Sequence, residues 1–401
     1  MRSFSRDSAR KLAESELTAR VVSETAGIDA GVWNALVPNS DGRPDNPFLD
    51  HAFFLALEQS GCATAETGWL PQHVLIERDG VAVGLMPMFL KSHSQGEYVF
   101  DWGWADAFDR AGGRYYPKLQ CAVPFTPVPA PKLNAGTLDL KARLLDVSAE
   151  ICSRLGASSV HATFVSEQEQ ALAEAAGWLI RHDTQFHWNN RGFASFDGFL
   201  DSLASRKRKM IRRERRDALA DGIRVEWITG SDLTEAHWDA FFAFYLDTGS
   251  RKWGQPYLNR TFFSLLSAAM AERIVLIFAY DGDTPIAGAL NLVGKDTLYG
   301  RNWGATREIP FLHFEICYYQ AMDFAIAHGL ATVEAGAQGE HKLMRGYEPV
   351  VTRSIHFIAH PGLRRAVADY LIAEREAVAR GKEALSRYTP FRRGERTDGN
   401  D

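Results

Sequence analysis

Apolar and polar positions alternate in two similar runs along the chain, and each run predicts the same order of elements. In the first, HAFFLALEQSG after Asn46 and Pro47 repeats its apolar positions at helical spacing and closes on Gly61. VLIERDGVAVGLMPMFL follows, two apolar stretches around Asp79 and Gly80, a pattern that predicts a β-hairpin. EYVFDWG is expected as a third strand. In the second run VLIFAYDGDTPIAGALNLV repeats the hairpin pattern around Asp281 and Gly282, and TLYGRNWG follows it. Long helices are expected near residues 138–155 and over HFEICYYQAMDFAIAHG, where Phe314, Cys317, Ala321, Phe324 and Ala325 share one face and Gly329 ends the run. A last helix is expected near 363–388, placed so that it can pack back on the first run.

The two runs share a register. Val74 and Val275, Tyr98 and Tyr299, Asp101 and Asn302, Trp102 and Trp303, and Gly103 and Gly304 are each 201 residues apart. Gly177, Trp178 and His187 match Gly346, Tyr347 and His356 at an offset of 169. The chain therefore reads as a tandem duplication of an α/β unit with a mixed sheet. The shorter second offset leaves about 32 extra residues in the first unit by the same repeat logic. The candidate is the Gly/Pro-rich, aromatic stretch near 104–137, too long for a passive connection. The expected divisions are a disordered 1–20, a first unit at 21–190, a second at 191–360, a C-terminal helix at 361–390 and a disordered tail at 391–401.

Composition narrows the function classes. The chain has 401 residues, 46% hydrophobic and 24% charged, with a formal net charge of -5, which argues against a dedicated nucleic-acid binder. Four well-separated cysteines suit a reducing compartment. The first residues lack the apolar core of a signal peptide, and the longest apolar run, 82–90, is too short to span a bilayer. A cytoplasmic protein is expected, with peripheral contact at the inner membrane left open. The histidines show no metal-ligand spacing, so no metal is expected, and GxSxG, Walker and GxGxxG motifs are absent.

Candidate chemistry gathers at TVEAGAQGEHKLMRGYEP, residues 332–349. A strand ending on Glu334, then glycines, His341, Lys342 and Arg345, suits an anionic ligand; a surface loop is the alternative. For transfer to an amine, Glu334, His341 or His313 can deprotonate the nucleophile while backbone N–H groups and Lys342 hold the oxyanion. A structural pair between Glu334 and Lys342 or Arg345 is the competing reading. Glu315 opens the long helix, as a catalytic group or as a carboxylate favoured by the helix dipole. RKRKMIRRERR at 206–216 holds eight basic residues and one acid. Its Arg206, Lys207, Lys209, Arg212 and Arg213, with Arg345, are candidates for holding the phosphates of a donor, and a solvated helix face is the alternative. Substrate-binding candidates are Trp102, Arg114, Tyr115, Tyr116, Lys118, Phe125, Trp303 and Tyr347, the first-unit aromatics forming one wall of a cleft or packing between the units.

Specific stretches resemble a known family. SRKRKMIRRERRDALADGIRV resembles the basic helix and glycine that open the second unit of FemAB-like proteins, and VEAGAQGEHKLMRGYEP resembles their acidic strand end and Lys-x-x-(F/Y) turn, with Lys342 followed by Arg345, Gly346 and Tyr347. This resemblance, over about 46–393, implies two tandem GNAT-like domains, an N-acyltransferase activity and an acyl-CoA or acyl carrier protein as donor. The (Q/R)-x-x-G-x-(G/A) loop of acetyl-CoA enzymes is missing: GATREIPFLHFE stands in its place, so acetyl-CoA does not follow. The acceptor expected is an amine, including a long-chain lipid amine as in bacterial ceramide synthesis. The alternatives are an aminoacyl-tRNA-dependent transferase acting on a peptidoglycan-type precursor, and a non-catalytic protein that binds an anionic lipid or carrier.

Overall fold

The computed structural model describes residues 17–40, 42–252, 256–336, 339–388 and 390–392. Both Asp-Gly hairpins form. Asp79 and Gly80 take positive φ values of 51° and 78°, which turns His73–Arg78 back onto Val81–Met86. Gly282, at φ 59°, does the same between Ile274–Asp281 and Thr284–Val293. The two hairpins lie in different sheets. The first belongs to a four-stranded sheet with Leu17–Val22 at one edge and Asn134–Ala135 at the other. Residues 17–20 of the stretch expected to be disordered are thus paired, while 1–16 lie outside the described residues, as does the tail from 393.

The second hairpin lies within an eleven-stranded mixed sheet. Its order is Arg224–Thr229, Ile274–Asp281, Thr284–Val293, Thr297–Ala305, Thr332–Glu334, Leu179–Asn189, Glu348–Ile358, Ser159–Ala162, Lys118–Cys121, Met88–Lys91 and Trp69–Pro71. The centre of this order matters most. The last strand of the first half, Leu179–Asn189, pairs with Thr332–Glu334 of the second. The last strand of the second half, Glu348–Ile358, pairs with Ser159–Ala162 of the first. The two exchanged strands also pair antiparallel with each other, from Leu179 opposite His356 to His187 opposite Glu348. Each half therefore completes the other's sheet.

The expected third strand EYVFDWG does not form. Tyr98 takes a left-handed φ of 60° and Trp102–Arg110 is a helix. The strand that follows the first hairpin region and runs parallel to Ser159–Ala162 is Lys118–Cys121. The reason is charge: Glu97 and Asp101 turn inward to Lys118, so the apparent alternation of apolar residues was not the face of a sheet. The helix expected over HFEICYYQAMDFAIAHG is interrupted by a π-helical turn at Glu315–Tyr319 and resumes at Gln320–Ala327.

Apolar packing fuses the halves. Phe53 meets Phe262 at 5.8 Å and Phe48 meets Tyr299 at 5.5 Å, within one core that also holds Trp33, Trp238 and Phe263. The C-terminal helix Pro361–Ser386 buries Leu363, Val367 and Leu371 and lies over both exchanged strands. Arg181 grips its Glu374 with two hydrogen bonds of 2.9 and 2.7 Å. Among the described residues no helix is long and apolar enough to cross a membrane.

Candidate active site between the two halves

Thr297–Ala305 and Thr332–Glu334 run parallel for three residue pairs, ending at Tyr299 opposite Glu334. Beyond that point they part, because Gly336 and Gly339 take φ values of 74° and 119° and lead the chain away. Glu334 sits at the start of this wedge, buried, with its pKa pushed up to about 7 by burial against the pull of Arg301. Its carboxylate lies 3.4 Å from Arg301 Nη2 and 3.8 Å from His187 Nε2. His187 comes from the exchanged strand, so the pair is assembled from both halves.

A bulge supplies Arg301. Asn291 pairs with Gly300 and Leu290 with Asn302, which leaves Arg301 as the extra residue of its strand. Its guanidinium lies over the Phe48 ring at 4.5 Å and near the Tyr299 ring at 5.3 Å. His187 is drawn down to about 4, first by burial and then by Arg301 and Lys342, so its ring is neutral at neutral pH. Gln185 Oε1 lies 3.3 Å from His187 Nε2, while Gln185 Nε2 donates to Pro127 O at 2.9 Å. With two acceptors facing Nε2, the hydrogen belongs there and Nδ1 carries the free lone pair.

The turn Glu340–Arg345 supports the wedge. Lys342 Nζ donates to Ala335 O at 2.6 Å and Gly336 O at 3.1 Å, fixing the strand end, and burial draws its pKa down to about 8. Both of these bonds go to carbonyls, and the cation paired with Glu334 is Arg301. Arg345 is turned inward onto Glu214 (3.1 and 2.8 Å) and stacks on Phe314 at 3.5 Å. That ion pair is buried, so Arg345 does not present its charge to a donor's phosphates. Glu315 is likewise taken up by Arg215, at 3.1 and 2.9 Å, and by Gln320.

His341 Nε2 lies 2.8 Å from the Tyr318 hydroxyl, and His313 packs 5.2 Å from the Trp303 ring. Trp303, His313, Thr248, Ile309 and Leu312 line a cavity of about 220 Å³. Trp303 is two residues along the strand from Arg301, but it packs against the second-half core with Leu312 and Ile316, whereas Arg301 lies over Phe48 and Tyr299. Tyr347 is fully buried against Tyr318, without access to a substrate. In the helix Ser205–Ala218, Arg206 and Lys209 face solvent and Lys207 is half-buried. No acid lies within ion-pair distance of these three among the described residues, while Arg212 reaches Asp197 and Arg213 reaches Asp217.

Of the first-half candidates, Tyr115, Tyr116 and Lys118 join a separate cluster around Ser94, Glu97 and Asp101. Lys118 donates to Glu97 at 2.7 Å, Ser94 at 2.8 Å and Asp101, and the Tyr115 hydroxyl donates to Asp101 at 2.7 Å. Lys91 completes the group 3.8 Å from Glu97. Tyr116 bonds Ser94, Phe125 stacks on Tyr257 at 5.0 Å, and Trp102 and Arg114 are exposed. His161 Nδ1 lies 2.6 Å from His356 Nδ1, at the position related by the duplication to Glu334 and His187. Sequence reasoning missed His187, Gln185 and Arg301 as site residues. The 169-residue match of His187 to His356 was the available signal for the first; nothing local marks the bulge at Arg301.

The family model for FemAB-like proteins, described as "Peptidogalycan biosysnthesis/recognition", matches residues 24–393. The chain belongs to the FemAB-like family. Among solved structures, this FemAB-like chain is similar to one titled "Crystal structure of FemX", with 14% identity, TM-score 0.52, and 85% of this chain and 98% of that one covered. A conserved protein of unknown function from Bacteroides thetaiotaomicron gives 14% identity, TM-score 0.50, and 86% and 100% coverage. L-PGS from Bacillus licheniformis gives 10% identity, TM-score 0.48, and 83% and 99% coverage. The comparison with curated proteins returns no match. The mixed α/β fold of two tandem GNAT-like halves, expected from the sequence, is the fold found.

Proposed function

We propose that this FemAB-like protein transfers an acyl or aminoacyl group to an amine at the wedge between its halves. The observation that carries the reading is the pairing of a buried carboxyl with a pKa near 7 and a neutral imidazole where two parallel strands part. An amine arrives protonated in water and must lose that proton before it can attack. Glu334, ionised above about 7, accepts it directly or through the free Nδ1 of His187. The amine nitrogen then bonds to the donor carbonyl, and the carbonyl oxygen becomes an oxyanion. Edge N–H groups past Tyr299, which have no parallel partner among the described residues beyond the wedge, suit that oxyanion. The carbon–sulfur or carbon–oxygen bond of the donor breaks as the amide forms, the leaving group takes up the second proton lost by the nitrogen, and Glu334 releases the first to solvent.

The donor we favour is an acyl thioester of coenzyme A or of an acyl carrier protein, its acyl end in the cavity beside Trp303 and His313. The cations Arg206, Lys207 and Lys209, which have no acidic partner among the described residues, equally suit an aminoacyl-tRNA, and that is the second reading. A transfer assay with acyl-CoAs, acylated carrier protein and charged tRNA, each against amino acids, peptides and long-chain amines, separates them when the amide is read by mass spectrometry. Amide formation that falls at least about 100-fold in E334Q supports the site. Undiminished turnover in E334Q, or no amide from any donor, overturns it.

A further inference from the structure

One guanidinium at the interface is left unsatisfied by the protein around it. The Arg301 side chain is 6% exposed. Its Nη1 donates to Gly300 O at 2.9 Å, its Nη2 reaches Glu334 only at 3.4 Å, and its buried Nε has no acceptor among the described residues. A buried donor without a partner costs about 1–3 kcal/mol, more when the group is charged, so such a group signals a missing ligand or a strained site.

The charges nearby do not cancel. Lys342 and His187 act on the same site, and Lys132, from the first half, also acts on Glu334. Lys132 has a buried carboxylate of its own in Glu169, whose Oε1 accepts from the Lys132 backbone N–H at 2.7 Å. Among the described residues that leaves Arg301 and Lys342 against Glu334. The first-half cluster is the contrast: there Lys91 and Lys118 are matched by Glu97 and Asp101 in a sealed group. At the wedge, Glu334 is also the group proposed to take up the amine's proton. Once it does so, no carboxylate among the described residues remains ionised within ion-pair distance of Arg301, at the step where the amine attacks.

We propose that the amine accepted at this site carries its own carboxylate, bound by Arg301 through its free Nε edge, so that the acceptor is amino-acid-like. A guanidinium edge presents donors in the plane and spacing of a carboxylate, and such pairs are charge-assisted. The bulge that makes Arg301 the extra residue of its strand aims it toward Glu334, placing the carboxylate and amine subsites side by side. This inference rests on the amine-acylating reading of the same wedge.

Saturation-transfer NMR on the full chain tests it with L-alanine, L-alanyl-L-alanine, their C-terminal carboxamides and ethylamine as probes. The acids are expected to receive saturation at least tenfold more strongly than the amides and ethylamine. R301Q removes that preference; R301K, which keeps the charge and loses the Nε edge, gives an intermediate ratio. Thermal melts show whether each variant folds, and if R301Q does not, the wild-type acid-to-amide ratio and R301K decide. A single amino acid binding better than the dipeptide marks a free amino acid as the source of the carboxylate, and the reverse marks a peptide end. Equal binding of acids and amides, binding of none of the probes, or an unchanged preference in a folded R301Q overturns the proposal. No transfer is read here, so a failure to form amide with any donor would sink the transferase reading while leaving this result intact.

Discussion

Glu334 is held between two opposing influences. Burial favours its neutral form and Arg301 favours its ionised form, and the balance falls at about 7. As an acceptor of protons it works only when ionised, so kcat/KM is expected to rise with pH through about 7 and level off above it. The pH–rate profile checks this, and in E334Q that limb should vanish along with most of the activity. His187 contributes differently. It is neutral across the same range, so H187A should lower kcat about 10- to 100-fold without moving the limb near 7. A limb that shifted with His187 and persisted without Glu334 would reverse the two roles. Gln185 acts through His187, and Q185A should disturb the histidine's tautomer, visible in its imidazole nitrogen shifts.

At the scale of elements, the basic helix Ser205–Ala218 is tied down by its least typical members. Glu214, the one acid in residues 206–216, receives Arg345 and the Tyr319 hydroxyl, and Arg215 clasps Glu315 and Asp323. The outward cations are thus mounted on a helix anchored to the very turns that carry His341 and Lys342. Breaking a buried pair leaves a charge without its counterion, at a cost of about 3–5 kcal/mol. R345M should therefore destabilise the protein by about that amount in urea titrations, whereas R206Q and K209Q should leave the midpoint unchanged. Gly346 belongs to the same structure: at φ 94°, an added Cβ would meet the Phe199 ring at 2.7 Å, so G346A combines backbone strain with a clash.

How much of this could be read beforehand depended on whether the signal was local. The hairpins were legible because Asp79-Gly80 and Asp281-Gly282 encode their turns in two residues. The long helix at Leu138–Arg154 was legible from its periodicity and is opened by the Thr137 cap, whose side chain accepts from Leu140 N–H. EYVFDWG misled because Glu97 and Asp101 are buried by partners some twenty residues away, which local alternation does not report. Arg345 and Glu315 looked available for chemistry because their partners, Glu214 and Arg215, lie about a hundred residues distant. His187 was seen only as a repeat marker, since its meeting with Glu334 depends on strand exchange.

At the scale of the whole molecule, that exchange makes the halves one folding unit. Thermal unfolding by calorimetry should show a single transition, and a fragment of residues 1–190 should fail to fold alone, because Leu179–Asn189 would lose both neighbours. Co-expression with 191–401 should rescue it. Acid offers a second test. His161 is drawn down to about 3 by burial and Lys118, and His356 is held well below the usual imidazole range, so both fold as neutral rings. Their folded pKa values lie below the unfolded value of about 6.5. Their contribution is therefore complete above about 6.5 and is lost as pH falls toward 3, which gives stability a positive slope with pH in that window. H161Q should flatten this slope, and an unaltered slope would show that other groups set it.

The exchanged strands also bear on how such a chain arises. Glu334 and His187 belong to opposite repeats, and the matching positions in the other half hold His161 and His356 instead. A gene for one repeat alone would encode no complete site. The same pairing between two separate copies would make a symmetric dimer with two like sites. In the joined chain the two positions differ: one holds the buried His161–His356 pair and the other the Glu334–His187 pair.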